Sequence, residues 1–279
     1  MTYAKVSTSK SDDGLKKKIS ILTLRKMKEQ GEKFVTVALY DAPMAAMAEQ
    51  SGVEVVLVGD SLGMTVLGFD STIPVTMEHM IYHVEAVSRG NNKSLIMGDL
   101  PFMAYATTEQ AMTNAARIMQ AGAHMVKLEG GEWLCDTVSR LADRGIPVCA
   151  HIGLTPQSVN KLGGFRVQGR DEKSSRRLIH DAKLLERAGA DLLVLECVPA
   201  DLAKAITNEL TIPTIGIGAG TYTDAQVLVI NDILGLTPTP PKFSKNFLIE
   251  TDDIPSALKK YVSDVKSLTF PADKHIFNC

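Results

Sequence analysis

Apolar residues occur along this chain in short unbroken runs separated by longer amphipathic stretches. Eight runs can be counted, at residues 35–39, 55–60, 94–99, 125–129, 148–151, 192–196, 214–218 and 227–230. A continuous apolar run of this length is typical of a strand covered on both faces, and the stretches between the runs are long enough for helices. The pattern predicts an α/β protein in which strands and helices alternate.

Glycine and proline mark the boundaries of these predicted elements. Gly52, Gly122 and Gly189 each follow a helical stretch and precede an apolar run, and glycine readily adopts the left-handed conformation that ends a helix. Pro147 and Pro213 stand before two other runs, where proline excludes continuation of the preceding helix. Eight alternating strands favour a parallel (β/α)₈ TIM barrel, and a doubly wound open sheet stays as the alternative because counting does not show closure.

The length of 279 residues suits one large domain. Residues 1–18 are polar and rich in lysine, which predicts a flexible N-terminal tail, and residues 19–279 are predicted to form the barrel as a single catalytic domain. Residues 19–30 predict an N-terminal helix at the bottom of the barrel. Residues 252–268 predict one or two C-terminal helices that pack on its outside or against a neighbouring subunit.

Composition and charge narrow the function classes. The chain is 45% hydrophobic and 22% charged, as expected of a globular protein, and 30 basic against 32 acidic residues give a net charge of −2. This balance offers no electrostatic surface for nucleic acid or an anionic membrane, so small molecules are the expected ligands. Four scattered cysteines form no Cys-x-x-Cys pair, which argues against a disulfide framework or a zinc site and favours the cytoplasm.

Polar residues gather where the predicted strands end, and the carboxyl ends of barrel strands are where active sites lie. They follow or end the second to sixth predicted strands: Asp60, Ser61, Asp99, Lys127, Glu129, His151 and Glu196. The sequence therefore predicts that these ionisable groups meet at one rim of the barrel.

Most of these residues have a simpler interpretation when taken alone. Asp60 and Asp99 would each suit a cap on the turn that follows. Lys127 and Glu129, two residues apart on one strand face, would suit a local ion pair. His151 would suit a hydrogen-bonded core histidine. Together they resist this interpretation, because several carboxylates buried near one another require a compensating cation.

A hard divalent cation, Mg²⁺ before others, suits a site in which carboxylates predominate. A 2-oxo acid can offer such an ion two oxygens, and the ion then stabilises the enolate formed when a proton leaves the adjacent carbon. One carboxylate must accept that proton, and Glu196, which alone would suit a salt bridge to arginine, is the predicted base. Lys127 is predicted to neutralise the substrate carboxylate or enolate oxygen. The residues thus predict aldol-type chemistry on a small 2-oxo acid.

Two glycine-rich segments lie near the predicted rim. Residues 216–220 do not match a dinucleotide-binding fingerprint, because Thr221 stands at the third glycine position, and close backbone approach or a tight barrel corner explains them better. Residues 153–169 predict a long glycine-hinged loop, either an active-site lid or an ordinary surface loop.

Seven segments, in order and at compatible spacing, resemble the ketopantoate hydroxymethyltransferases, a family also called 3-methyl-2-oxobutanoate hydroxymethyltransferases. They lie at residues 58–64, 74–76, 99–103, 126–131, 151–158, 195–199 and 216–220. The resemblance implies a barrel of the phosphoenolpyruvate/pyruvate superfamily, assembled as a homodecamer in the cytoplasm. It also implies transfer of a one-carbon unit from 5,10-methylenetetrahydrofolate to 3-methyl-2-oxobutanoate, giving 2-dehydropantoate in pantothenate biosynthesis. A metal-dependent 2-oxo acid lyase or aldolase of the same superfamily stays as the alternative.

The resemblance also implies roles for individual residues. Asp60, Asp99 and Glu129 would surround Mg²⁺, and Glu196 would be the proton acceptor. The residues in contact with the oxo acid would be Asp60, Ser61, Asp99, Lys127 and His151. The chain departs from the family pattern at Ala150, at Ala225 and in residues 237–241, and these departures leave the folate contacts and the eighth loop open.

Overall fold

The structure, a computed structural model, describes residues 18–278 of the chain. In this part of the chain lie eight strands: β1 (Phe34–Ala38), β2 (Val55–Val58), β3 (Leu95–Asp99), β4 (Met125–Glu129), β5 (Val148–Gly153), β6 (Leu192–Glu196), β7 (Thr214–Ile217) and β8 (Ala225–Val229). Each strand pairs in parallel with the next, and β8 pairs with β1, so the sheet is a closed barrel. The predicted barrel is confirmed and the open sheet is wrong.

Helices connect the strands and surround the barrel. They are α1 (Ile21–Glu29), α2 (Ala42–Gln50), α3 (Leu62–Thr65), α4 (Met77–Gly90), α5 (Thr108–Gln120), α6 (Cys135–Asp143), α7 (Val159–Leu162), α8 (Glu172–Arg187), α9 (Ala200–Glu209), α10 (Ile230–Ile233) and α11 (Ile254–Lys266). Single 3₁₀ turns occur at Glu132–Leu134, Pro156–Ser158, Leu248–Glu250 and Asp273–His275. Among residues 18–278 no helix has the length and apolar character needed to cross a bilayer.

The terminal helices lie where the sequence pattern placed them. α1 confirms the helix predicted at residues 19–30, and its Leu24 is fully buried in the core inside the barrel, together with Phe34 of β1. α11 confirms a C-terminal helix at residues 252–268. The tail predicted at residues 1–18 lies, apart from Lys18, outside the described residues, and the predicted domain boundary stays a prediction.

Burial on both faces explains the unbroken apolar strands. Every residue of β1 to β4 is buried, because one face packs inside the barrel and the other packs against the helices. Several of the surrounding helices have a capped N-terminus. In α4 the N-cap residue Thr76 accepts a hydrogen bond at its side chain from the main-chain N–H of His79. The predicted helix-ending glycines all have positive φ, at +90° for Gly52, +116° for Gly122 and +105° for Gly189.

Tyr261 of α11 covers the seam where the last strand meets the first. Its buried hydroxyl donates to the carbonyls of Thr36 in β1 and Gln226 in β8, at 3.2 Å each. Its ring packs edge-on against Phe247 and Phe270. The C-terminal part of the chain therefore holds the closed barrel together from outside.

The loop predicted at residues 153–169 is helical in its first half, which corrects that expectation. The 3₁₀ turn at Pro156–Ser158 and the helix α7 follow almost directly after β5. Gly153 at the end of β5 has φ +94°, and a Cβ added there would lie 2.3 Å from the carbonyl oxygen of Glu196. This close approach lets the chain leave β5 tightly against the end of β6.

Candidate active site

The predicted site residues meet in one cavity of about 540 Å³ at the carboxyl ends of the strands. Its walls include all seven of them: Asp60, Ser61, Asp99, Lys127, Glu129, His151 and Glu196. The barrel therefore brings together residues that are up to 136 positions apart in sequence (196 − 60).

The strand register sets which of these side chains touch. Asp99 of β3 lies opposite Lys127 of β4, and Glu129 of β4 lies opposite His151 of β5. The Lys127 Nζ is 2.7 Å from Asp99 Oδ1 and 3.7 Å from Glu129 Oε1. The ion pair that the sequence suggested between Lys127 and Glu129 thus exists, but the shorter contact of Lys127 is with Asp99.

Asp60 joins this cluster from the turn after β2. Its main-chain N–H donates to Asp99 Oδ2 at 3.0 Å, so the two aspartates are direct neighbours. Asp60 is 3% exposed, and its side chain accepts a hydrogen bond from Gln157 Nε2 at 2.8 Å. Ser61 follows, and its hydroxyl shares a 2.8 Å hydrogen bond with that of Tyr40.

Burial dominates the electrostatics of the two aspartates. It raises the pKa of Asp60 well above its usual range, and the nearby Glu129 and Asp99 raise it further. It also raises the pKa of Asp99, although Lys127 beside it acts in the opposite direction. Burial by itself would lower the pKa of Lys127, but the surrounding carboxylates raise it, so this lysine is charged at neutral pH.

His151 lies between two carboxylates. Its Nδ1 is 3.3 Å from Glu129 Oε1 and its Nε2 is 3.3 Å from Glu196 Oε2. Burial alone would lower the pKa of His151, but the two carboxylates raise it to about 9. Burial likewise favours a higher pKa for Glu129, yet His151 and Lys127 hold it below its ordinary value. The raised pKa favours the imidazolium form of His151 at neutral pH.

Glu196 is the most accessible carboxylate of this set. Its side chain is 14% exposed, against 3% for Glu129 and 2% for Asp99. It lines the cavity at the end of β6 and contacts His151, not an arginine. Glu196 is therefore the member of this set that a ligand in the cavity reaches most easily.

The family model for ketopantoate hydroxymethyltransferase matches residues 18–273 of the chain. The chain belongs to this family. A 3-methyl-2-oxobutanoate hydroxymethyltransferase from Saccharophagus degradans is 72% identical over 263 residues, covering 94% of this chain and 97% of that protein. The protein of the same name from Shewanella loihica is 56% identical, covering 94% of this chain and 99% of that protein. The resemblance inferred from the seven segments is confirmed.

More distant likenesses concern the fold alone. The crystal structure of phosphonopyruvate hydrolase in complex with oxalate and Mg²⁺ has a TM-score of 0.58 at 14% identity, covering 77% of this chain and 83% of that chain. The crystal structure of 2,3-dimethylmalate lyase has a TM-score of 0.54 at 18% identity, covering 75% and 80%. These structures share the barrel fold with this chain.

Gln157 is a site residue of this family member that sequence reasoning missed. Its side-chain amide donates to Asp60 Oδ2 and to the Leu100 carbonyl at 3.0 Å, and its main-chain N–H donates to Glu129 Oε2 at 3.0 Å. The hydroxyl of Tyr105 donates to its Oε1. Gln157 belongs to residues 151–158, one of the segments that resemble the family. Its contacts with Asp60 and Glu129 became visible only in the structure, where it lies in a 3₁₀ turn.

The oxygen donors of this site fit a magnesium ion. In the described part of the chain, no three His, Cys, Asp or Glu side chains are arranged to ligate an ion together. Mg²⁺ usually takes one or two protein carboxylates and completes its shell with water or substrate oxygens. Asp60 and Asp99 are adjacent, all-oxygen donors whose pKa values burial raises, so a divalent cation beside them would compensate their charge.

The positions that depart from the family pattern fall in two places. Ala150 and Ala225 are fully buried in strands β5 and β8, where they have no contact with the cavity. The segment of residues 237–241 instead contributes Thr237, Thr239 and Pro241 to the cavity wall. This segment therefore forms part of the site.

Proposed function

We propose that this chain transfers a one-carbon unit from 5,10-methylenetetrahydrofolate to 3-methyl-2-oxobutanoate, giving 2-dehydropantoate and tetrahydrofolate. The observation that carries the proposal is the buried cluster of Asp60, Asp99, Glu129 and Lys127 with the more accessible Glu196 beside it. The relatives are named 3-methyl-2-oxobutanoate hydroxymethyltransferase, which supports 3-methyl-2-oxobutanoate as the acceptor of the one-carbon unit. The cytoplasmic location and the homodecamer stay predictions from the family resemblance.

Asp60 and Asp99 would hold Mg²⁺, with Glu129 close to it. When bound, the cation draws electron density from the ketone of the oxo acid and so makes the C3 hydrogen more acidic. Ser61 and Lys127 would bind the oxygens of the oxo acid. The ammonium of Lys127 is charged and buried, so it would stabilise negative charge that develops on these oxygens.

Glu196 would accept the proton from C3, and the electron pair of that C–H bond would then form the new bond from C3 to the one-carbon unit. C3 would replace one folate nitrogen on the methylene carbon and the oxygen of a water molecule would replace the other. The proton taken from C3 and one proton of the water would end on these two nitrogens, so that tetrahydrofolate leaves. His151, held as an imidazolium by Glu129, would fix the position of the Glu196 carboxylate.

The base role is tested by exchange of the C3 hydrogen in D₂O with Mg²⁺ and 3-methyl-2-oxobutanoate, without folate. We expect exchange with the wild type and its loss with Glu196→Gln, because the amide cannot accept the proton, while calorimetry still detects oxo-acid binding. Glu132→Gln is the matched control, since Glu132 is exposed and outside the cavity. Exchange at the wild-type rate in Glu196→Gln would remove Glu196 from this role.

The transfer reaction separates the proposal from the lyase alternative. Wild-type protein supplied with methylenetetrahydrofolate and the oxo acid should form 2-dehydropantoate. If no product forms, while another 2-oxo or 2-hydroxy acid is cleaved, the lyase is favoured.

A further inference from the structure

The cavity holds polar groups that the reaction at the acidic cluster leaves unused. A cavity of about 540 Å³ lies in the size range of sites for much larger ligands than a five-carbon acid. The acidic cluster occupies the ends of β2 to β6. Asp232 and Thr237, which follow β8, and Thr72, which follows α3, line the same cavity.

Asp232 is a buried carboxylate, and both of its oxygens can accept further hydrogen bonds. The residue is 7% exposed, and its Oδ1 accepts a hydrogen bond from the Thr237 hydroxyl. No residue between 18 and 278 donates a hydrogen bond to its Oδ2. Burial raises the pKa of Asp232, against the effect of Thr237. A ligand that donates hydrogen bonds would relieve this unfavourable burial.

Thr72 provides a second unused group in this region. It is 1% exposed, and its hydroxyl has no hydrogen-bond partner within the described residues. A buried hydroxyl without a partner is uncommon in folded proteins. Because Thr72 also lines the cavity, a ligand there is able to supply the partner.

Two aromatic rings, those of Phe243 and Phe277, line the cavity near the end of β7. A Cβ added to Gly218 would meet the ring of Phe243 at 3.0 Å and that of Phe277 at 3.1 Å, so both rings pack over the end of β7. The carbonyl of Phe277 accepts a hydrogen bond from the Ala200 N–H at 3.1 Å, which fixes the C-terminal segment on the barrel. These rings give the cavity an apolar surface for a flat ligand.

We propose that this second region binds the carrier of the one-carbon unit, and that Asp232 accepts hydrogen bonds from adjacent N–H groups on the edge of its pterin ring. The proposal rests on the proposed function and assigns residues to its second substrate. A carboxylate matches two parallel N–H donors that share one carbon atom, as in a guanidine-like edge. The apolar residues of the cavity would cover the face of the ring, and Glu196 lines the same cavity.

The test compares binding of the carrier with chemistry on the oxo acid. For Asp232→Asn we expect tetrahydrofolate to bind at least about tenfold more weakly by calorimetry, with a matching rise in KM for methylenetetrahydrofolate. Folate-independent exchange of the C3 hydrogen should stay at the wild-type rate. Asp201→Asn is the matched control, since Asp201 is an exposed aspartate of α9 outside the cavity.

A ligand analogue tests the same contact without a variant. Wild-type protein should bind a tetrahydropterin that lacks the 2-amino group more weakly than the complete tetrahydropterin, and Asp232→Asn should not distinguish the two. Equal affinities of the wild type for both compounds would overturn the proposal, and so would unchanged tetrahydrofolate binding in the variant. A parallel fall in C3 exchange would also overturn it, because the defect would then be general. Wild-type protein without C3 exchange would refute the proposed function instead, whatever the pterin result.

Discussion

Single residues in this site take their chemical state from neighbours on other strands. Lys127 is charged although it is buried, because Asp99 and Glu129 surround its ammonium. His151 is an imidazolium because Glu129 and Glu196 flank its ring. The acids in turn depend on these two cations, so each member of the cluster stabilises a charge that burial alone would suppress.

Gln157 is the residue that ties the acidic cluster to the surrounding main chain. Replacing it in Gln157→Leu keeps most of the volume but removes the hydrogen bonds to Asp60, to the Leu100 carbonyl and from Tyr105. Because such supporting contacts orient metal ligands, we expect Mg²⁺ to bind roughly 10–100-fold more weakly. Calorimetric titration with Mg²⁺ measures this effect.

The exposed Gln120 provides the control for that experiment. Gln120→Leu should leave the Mg²⁺ affinity at the wild-type value. An unchanged affinity in Gln157→Leu would show that Gln157 does not orient the ligands.

At the scale of elements, glycine allows the backbones of neighbouring elements to approach closely at two places. Gly153 lets β5 end against the main chain of Glu196, and Gly90 ends α4 against the start of α2. A Cβ at Gly90 would lie 2.1 Å from the carbonyl oxygen of Ala42. No side-chain rotation relieves such a contact, because the backbone fixes the position of the Cβ and the other partner is a backbone carbonyl.

Gly90→Ala is therefore expected to push α4 away from α2. Overpacking of this kind lowers the free energy of unfolding by roughly 1–3 kcal/mol, which urea denaturation measures. The neighbouring Arg89 is exposed and its ion pair with Glu85 is a surface pair. Arg89→Ala should change the unfolding free energy by less than about 0.5 kcal/mol, and an equal loss in both variants would contradict the packing explanation.

At the scale of the whole molecule, the pKa of His151 links the site to stability. The folded protein raises this pKa from 6.5 to about 9, so the folded state binds the proton more tightly than the unfolded chain. The resulting stabilisation is complete below about pH 6.5 and is lost as the pH rises through about 9. In metal-free protein it should amount to roughly 3 kcal/mol at most.

Urea denaturation between pH 6 and 10, with chelator present, tests this link. The free energy of unfolding should fall more steeply with rising pH in the wild type than in His151→Gln. His180→Gln alters an exposed histidine and should keep the wild-type slope. If His151→Gln keeps that slope too, His151 does not hold the proton.

Much of the fold was predictable from local pattern. Unbroken apolar runs located all eight strands, and positive-φ glycines ended helices at Gly52, Gly122 and Gly189, because these signals depend on residues close together in sequence. The segment of residues 153–169 was predicted less well. Its short helix and 3₁₀ turn are too brief to show a periodic pattern.

The site, too, was predictable from the sequence only in part. The sequence determined which ionisable residues end the strands, since a parallel barrel sends every strand end to one rim, and motif spacing identified the family. The tertiary structure decided which of these residues are in contact. It also placed Gln157 within hydrogen-bonding distance of Asp60, and Asp232 in the wall of the same cavity. Those contacts depend on strand register, barrel closure and the path of connecting segments, which residues distant in sequence set jointly and no local pattern encodes.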